Sequence, residues 1–203
     1  MDLPTLLALL VFLFPLAYSP GPGNGFFAAL GARGGLAAAW PALAGYHVAT
    51  FVVTAAIGLG IGLAIVTDPD VARVMRIAGA LYVGWLGLGF LRAAVASDRS
   101  AAGLGPATGA RFRDGAVILV LNPKAYLIIG LLFSQFLEPG ADQMGRVLAL
   151  TLVFTLNNLV AFVAWTLAGI ALARILARGA SGRSVDAVFG ACLVGVCGWM
   201  LMG

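Results

Sequence analysis

The sequence predicts an all-α integral membrane protein: six transmembrane helices in two inverted three-helix repeats, with helices one and four broken at proline-rich motifs. Three observations carry this. Of the 203 residues 62% are hydrophobic and only 10% charged, whereas a soluble domain carries about 25% charge. The apolar runs repeatedly exceed the ~18 residues that span a bilayer core. Finally, the first and fourth runs are interrupted in their interiors by proline motifs, where lipid offers nothing to hydrate the backbone groups a proline frees.

Charge breaks place the spans at about 3–31, 36–66, 72–93, 113–137, 145–174 and 184–202. Asp2 stands where a signal peptide would need a basic segment, so the first run reads as a span. Connections one, three and five hold eight arginines: Arg33, Arg92, Arg99, Arg111, Arg113, Arg174, Arg178 and Arg183. The other side holds three, Arg73, Arg76 and Arg146. The positive-inside rule makes the first set cytoplasmic and both termini periplasmic, in a bacterial inner membrane. The formal net charge of +4 therefore reports orientation and is no nucleic-acid signal. "ASDRSAAGLGPATGA" at 96–110 is small and polar and reads as a flexible linker. The chain is then one membrane domain, 1–203: a first repeat over 1–95, a cytoplasmic linker over 96–112 and a second repeat over 113–203.

Span three contains "GALYVGWLG", Gly79 to Gly87, and span six "GACLVGVCG", Gly190 to Gly198. At an offset of 111, five of nine positions match: Gly79, Ala80, Val83, Gly84 and Gly87 on Gly190, Ala191, Val194, Gly195 and Gly198. Such glycine spacings also let helices approach closely. A repeat of three spans, being odd, crosses the membrane in the opposite sense the second time. That is a plan of secondary transporters, with sites at broken helices near the midplane.

The breaks sit where this plan needs them. "YSPGPGN" (Tyr18–Asn24) interrupts span one and "LNPKAY" (Leu121–Tyr126) interrupts span four. Pro22 and Pro123 each lie about ten residues from the arginine-rich side, roughly 15 Å deep. Pro20 and Pro22 deprive the carbonyls around Leu16 and Tyr18 of helical partners. Pro22 also starts a half-helix through Gly23, Asn24 and Gly25, whose N–H groups and positive dipole end attract an anion. Gly21 and Gly23 let a ligand approach the backbone. Lys124 is the only lysine and the only formal charge deep within a span; such a cation is costly and marks function. His47, the only histidine, and Asn157 and Asn158 of span five lie at similar depth, with packing or helix bridging as their alternative roles. Pro20, Gly21, Pro22, Gly23, Asn24, Asn122, Pro123, Lys124, His47, Asn157 and Asn158 thus form the candidate substrate site, and Lys124 and His47 are the candidates for proton coupling. Trp40, Trp85, Trp165 and Trp199 read as packing or interface anchors.

On these residues the chain resembles the lysine exporter (LysE/RhtB) family of bacterial amino-acid and metabolite exporters. Members carry Pro-Gly-Pro in the first span and Asn-Pro-Lys in the fourth, here Pro20-Gly21-Pro22 and Asn122-Pro123-Lys124. The likeness continues through "RGGLAAA" (33–39), "RIAGALYVGWLGLGFLR" (76–92) and "NPKAYLIIGLLFSQF" (122–136). Two departures stand out: Gly23 precedes Asn24 where the family has asparagine directly, and Ser134-Gln135-Phe136 replaces Pro-Gln-Phe. The resemblance implies a transporter, not an enzyme, that exports small amino acids or related metabolites from the cytoplasm in exchange for protons, without a cofactor. Its partners would be that cargo, protons and the lipid bilayer; a homo-oligomer is compatible with it.

Two rival readings are metal-ion efflux and a membrane thiol oxidoreductase using Cys192 and Cys197. No deep acid supports the first, and the spacing of the cysteines is not C-x-x-C. The acids Asp2, Asp68, Asp70, Asp98, Asp114, Glu138, Asp142 and Asp186 all lie near a membrane face. A buried cationic side chain would lack a carboxylate, so the expected cargo is a neutral zwitterion or similarly small acid or amide.

Overall fold

The computed structural model describes residues 1–61, 68–95, 110–137, 142–177 and 182–202. All regular structure among them is helical: α1 (Leu3–Tyr18), α2 (Pro22–Gly58), α3 (Pro69–Val95), α4 (Phe112–Val120), α5 (Pro123–Phe136), α6 (Gln143–Ala177) and α7 (Gly182–Met202). Three helices, α2, α3 and α6, are long and apolar enough to cross a membrane, and α4 with α5 forms a fourth candidate bent by 66°. α1 and the Asp186–Met202 stretch of α7 are shorter apolar helices. The linker at 96–109 and the charges Asp98, Arg99, Glu138 and Arg178 lie outside the described residues.

The span boundaries differ from the sequence reading only after the first break. The break itself falls where the proline motif predicts it, since α1 stops at Tyr18 and a new helix starts at Pro22. That new helix runs on as far as Gly58, with its direction reset at Gly35, where φ is 73°. Only glycine takes that conformation without strain. α2 therefore has a first half, 22–34, belonging to the first expected span, and a second half, 36–58, belonging to the second.

Acidic residues start the helices. Asp2 accepts from the Thr5 N–H at 3.1 Å, Asp68 from the Asp70 N–H at 2.8 Å, and Asp142 from the Gly145 N–H at 3.1 Å. At α4 the Asp114 carboxylate reaches back 2.7 Å to the Arg111 N–H. A carboxylate satisfies orphan N–H groups and complements the dipole. Asp2, Asp68 and Asp142 thus stand near a face for a local reason, since each caps the start of a helix.

The two ends of the bundle are built differently. At the arginine-rich end, glycines bring backbones together. A Cβ at Gly31 would land on the Thr166 carbonyl, one at Gly169 on the Ala28 carbonyl, one at Gly45 on the Phe112 carbonyl and one at Gly115 on the Ala42 carbonyl. Arg33 pairs with Asp186 at 3.6 Å and lies over the Phe90 ring at 5.1 Å, tying α2, α3 and α7. At the amino-terminal end, Leu9, Leu13, Ile129, Leu132, Leu150 and Phe154 form a separate apolar cluster. Above it opens a cavity of about 610 Å³ lined by residues including Asp2, Thr5, Gln135, Asp142 and Arg146.

α3 and α7, the carriers of the repeated glycine segments, pack together. Gly84 faces Cys197, Gly87 faces Leu193 and Gly190 faces Leu91. Gly195 and Gly198, the counterparts of Gly84 and Gly87, meet nothing within 4 Å. The sequence match is therefore not repeated as a packing match. Cys192 is exposed and Cys197 is half-buried, and both are free thiols.

Candidate functional site

The proline-rich break between α1 and α2 leaves three successive carbonyls without helical donors, and each is met by a side chain. Asn24 Nδ2 donates to the Ala17 carbonyl at 3.1 Å. Trp165 Nε1, on α6 and 147 residues away, donates to the Tyr18 carbonyl at 3.1 Å. Lys124 Nζ donates to both the carbonyl and the hydroxyl of Ser19, each at 2.9 Å. The Ser19 hydroxyl in turn donates to the Leu16 carbonyl at 3.2 Å. A buried carbonyl left without a donor would cost about 1–3 kcal/mol, so this set holds the break in its shape. The carbonyls around Leu16 and Tyr18, expected to lack helical partners, are met instead by the side chains of Ser19 and Trp165.

α2 then restarts as Pro22 allows, with Gly21 as its N-cap. Gly21 offers no side-chain cap to the first-turn N–H groups. A Cβ at Gly21 would sit 3.4 Å from Lys124 Cδ and Nζ, and one at Gly23 only 2.8 Å from the Phe162 ring. Close approach therefore asks for a glycine at Gly23, while the contact at Gly21 is an ordinary one; what approaches Gly23 here is protein.

The second break satisfies itself locally. Leu121 and Asn122 donate to the carbonyls of Val117 and Leu119, each at 3.0 Å. Asn122 caps α5 by accepting from the Lys124 N–H at 3.2 Å, and the Tyr126 hydroxyl donates to the Val120 carbonyl at 3.1 Å. The elbow projects Lys124 from the first turn of α5 onto the first break. Lys124 makes no ion pair among the described residues.

Beside the breaks stands an aromatic group from α2 and α6. The Tyr46 ring lies 4.5 Å from that of Phe162 and 5.7 Å from that of Phe27. His47 lies 5.6 Å from Phe162, centroid to centroid, and its Nδ1 is 2.7 Å from the Leu43 carbonyl. The buried Tyr46 hydroxyl meets the side-chain amides of Asn122 and Asn158. The structure thus gathers Asn24, His47, Asn122, Lys124 and Asn158 around the two breaks. Asn157 is not joined to them: its buried Nδ2 has no hydrogen-bond partner among the described residues.

Sequence reasoning passed over Ser19, Tyr46, Phe162 and Trp165. Ser19 and Tyr46 stood directly beside residues already singled out. Trp165, read as an anchor, has its indole N–H on the first break instead. No local pattern marks a donor whose acceptor lies 147 residues away.

A family model described as "LysE type translocator" matches residues 14–202. The chain is 27% identical over 135 residues to the homoserine/homoserine lactone efflux protein of Salmonella typhi, a stretch covering 66% of each chain. It is 29% identical over 143 residues to the leucine efflux protein of Enterobacter sp. (strain 638), covering 68% of each. It is 23% identical over 201 residues to an uncharacterized membrane protein of Vibrio cholerae, covering 99% of this chain and 98% of that one. The chain spans just under two thirds of the length of the homoserine relative. No solved structure matches it.

Proposed function

Because the chain belongs to the LysE type translocator family, we propose that it is a proton-coupled secondary exporter of small neutral amino acids or closely related metabolites. Membership makes it a membrane transporter, not an enzyme. The relatives named for homoserine and leucine efflux support a cargo with an uncharged side chain. In this reading six spans cross the bacterial inner membrane as two inverted repeats, with both termini periplasmic and the site between the Pro20–Pro22 and Asn122–Lys124 breaks.

The observation that carries the proposal is the seat of Lys124. The ammonium from the second break rests on Ser19 at the first, 2.9 Å from two oxygens, with no carboxylate paired to it among the described residues. A cargo carboxylate arriving there would find that cation beside the positive end of the α2 half-helix at Gly23 and Asn24. Lys124 then leaves Ser19 and pairs with the cargo, or passes on a proton as the cargo departs. The carbonyls it and Trp165 cover become the acceptors for the cargo's ammonium. No acid stands among the gathered residues, so a second positive charge on the cargo would be buried unpaired.

With the arginine-rich end cytoplasmic, the close glycine contacts lie on the inner side and the cavity of about 610 Å³ on the outer side, an outward-facing arrangement from which exported cargo would leave. Along α1 and α5, the buried Leu9, Leu13 and Leu132 lie between the cavity-lining Asp2, Thr5 and Gln135 and the breaks at Tyr18 and Lys124. Counterflow in proteoliposomes tests the cargo: leucine and homoserine should outcompete lysine and arginine by tenfold or more. Preferential exchange of lysine or arginine would overturn this reading of the site.

A further inference from the structure

The second half of α2 and the start of α6 run antiparallel. Gly58 lies against Val147 near one end of the seam and Tyr46 against Phe162 near the other. That register sets Thr54 at the level of Thr151 and His47 at the level of Asn158. Thr54 and Thr151 are fully buried, and their hydroxyls have no hydrogen-bond partner among the described residues; Nε2 of the buried His47 makes no well-formed hydrogen bond there either, although the Asn158 backbone lies beside the ring. A buried threonine in a helix ordinarily turns its hydroxyl to the carbonyl four residues back. Thr50, Thr155 and Thr166 do so, at 2.8, 2.8 and 2.7 Å. Thr54 and Thr151 do not, although their helices are regular there. Three buried polar atoms without a well-formed hydrogen bond on one seam, from two helices, call for an explanation.

We infer that the seam from Thr54 and Thr151 to His47 carries protons between the amino-terminal end of the bundle and the site at the breaks, by a route separate from the cargo's. The inference rests on the exporter reading above. A hydroxyl both donates and accepts, so a proton taken up on one side of Thr54 or Thr151 is matched by one released on the other, and no covalent bond to carbon changes. From Thr54 to His47 is seven residues, about 10 Å along the helix, with the Thr50 and Thr155 oxygens between. At its inner end the line reaches Tyr46, the titratable neighbour of His47 on its own helix, and Asn158 and Phe162 on α6, neither of which titrates. The cavity at the amino-terminal end approaches the other end of the line, lined by Ala149 and Leu150 immediately before Thr151. Cargo would descend instead past Leu9, Leu13 and Phe154.

Valine copies threonine's shape without its hydroxyl, so the test is the Thr54→Val/Thr151→Val double variant in proteoliposomes containing L-leucine and a pH-sensitive dye. Proton movement accompanying leucine efflux should fall at least tenfold, while leucine–leucine exchange, which needs no net proton transfer, stays within twofold. The Thr54→Ser/Thr151→Ser variant should keep both. Proton movement unchanged in the valine variant would overturn the seam and leave the exporter reading standing. Loss of exchange together with proton movement would overturn a separate route. If the unaltered protein moves no protons with leucine, the proton-coupled reading and the seam fail together.

Discussion

The two helix breaks begin from the same chemistry and end in opposite states. At the second, between α4 and α5, bonds within a few residues satisfy the backbone: Leu121 to Val117, Asn122 to Leu119, Tyr126 to Val120. At the first, between α1 and α2, the Ala17, Tyr18 and Ser19 carbonyls depend on Asn24, Trp165 and Lys124, two of which come from other helices. A locally closed elbow keeps its angle whatever its surroundings do. A break held by side chains from elsewhere changes when those side chains move. In the proposed mechanism the second break is then the rigid arm that carries Lys124, and the first is where a ligand would exchange with protein groups.

If that contrast is right, removing a side chain that covers the first break should damage transport more than removing one that closes the second. The largest effect is expected from Lys124→Ala. It removes two charge-assisted bonds, each about 1.5–3 kcal/mol, and leaves Ser19 uncovered, so export should fall at least ~100-fold while membrane insertion is kept. Leucine efflux at more than a tenth of the normal rate would remove Lys124 from the mechanism. Next comes Trp165→Phe, which keeps an aromatic ring and deletes only the N–H on Tyr18. An uncovered carbonyl costs about 1–3 kcal/mol, so efflux should drop roughly tenfold.

At the second break, Asn122→Ala loses an N-cap worth about 1 kcal/mol and one of the two amides at Tyr46. A Tm lowered by a few degrees in detergent and a loss of a few-fold in transport are expected. Tyr126→Phe should do least: a single bond at the rim, about 0.5–1.5 kcal/mol, and efflux within twofold. Measuring all four in one vesicle assay ranks the breaks directly. Were Tyr126→Phe to exceed Trp165→Phe, the second break would be the sensitive one and the contrast would be reversed.

How far the sequence could be read follows the range of the forces involved. Proline's missing N–H acts within four residues, so both breaks were legible at Pro20–Pro22 and Pro123. Aspartate caps act within three, which is why Asp2, Asp114 and Asp142 stand at helix starts. The glycine segments at 79–87 and 190–198 were legible as close-packing surfaces, and α3 and α7 do pack through them. Their equivalence as repeats is not mirrored in the contacts, because Gly195 and Gly198 face open space. Gly35 shows the same limit from the other side. It lies between the two expected spans, yet nothing local distinguishes a turn of the helix axis there from a connecting loop.

By itself the sequence determined where the backbone must break, which residue carries the deep charge and which end is rich in arginine, because each depends on residue type and near neighbours. Only the tertiary structure decided which side chains cover the broken ends. Ser19 and Lys124 are 105 residues apart, and Tyr18 and Trp165 are 147 apart. Hydrogen bonding selects such partners by position within about 3 Å, and that position is set by the packing of α2 on α6, which sums many weak contacts along both helices. The same packing left the Thr54 and Thr151 hydroxyls buried without a partner among the described residues, an outcome that no short-range rule of sequence encodes.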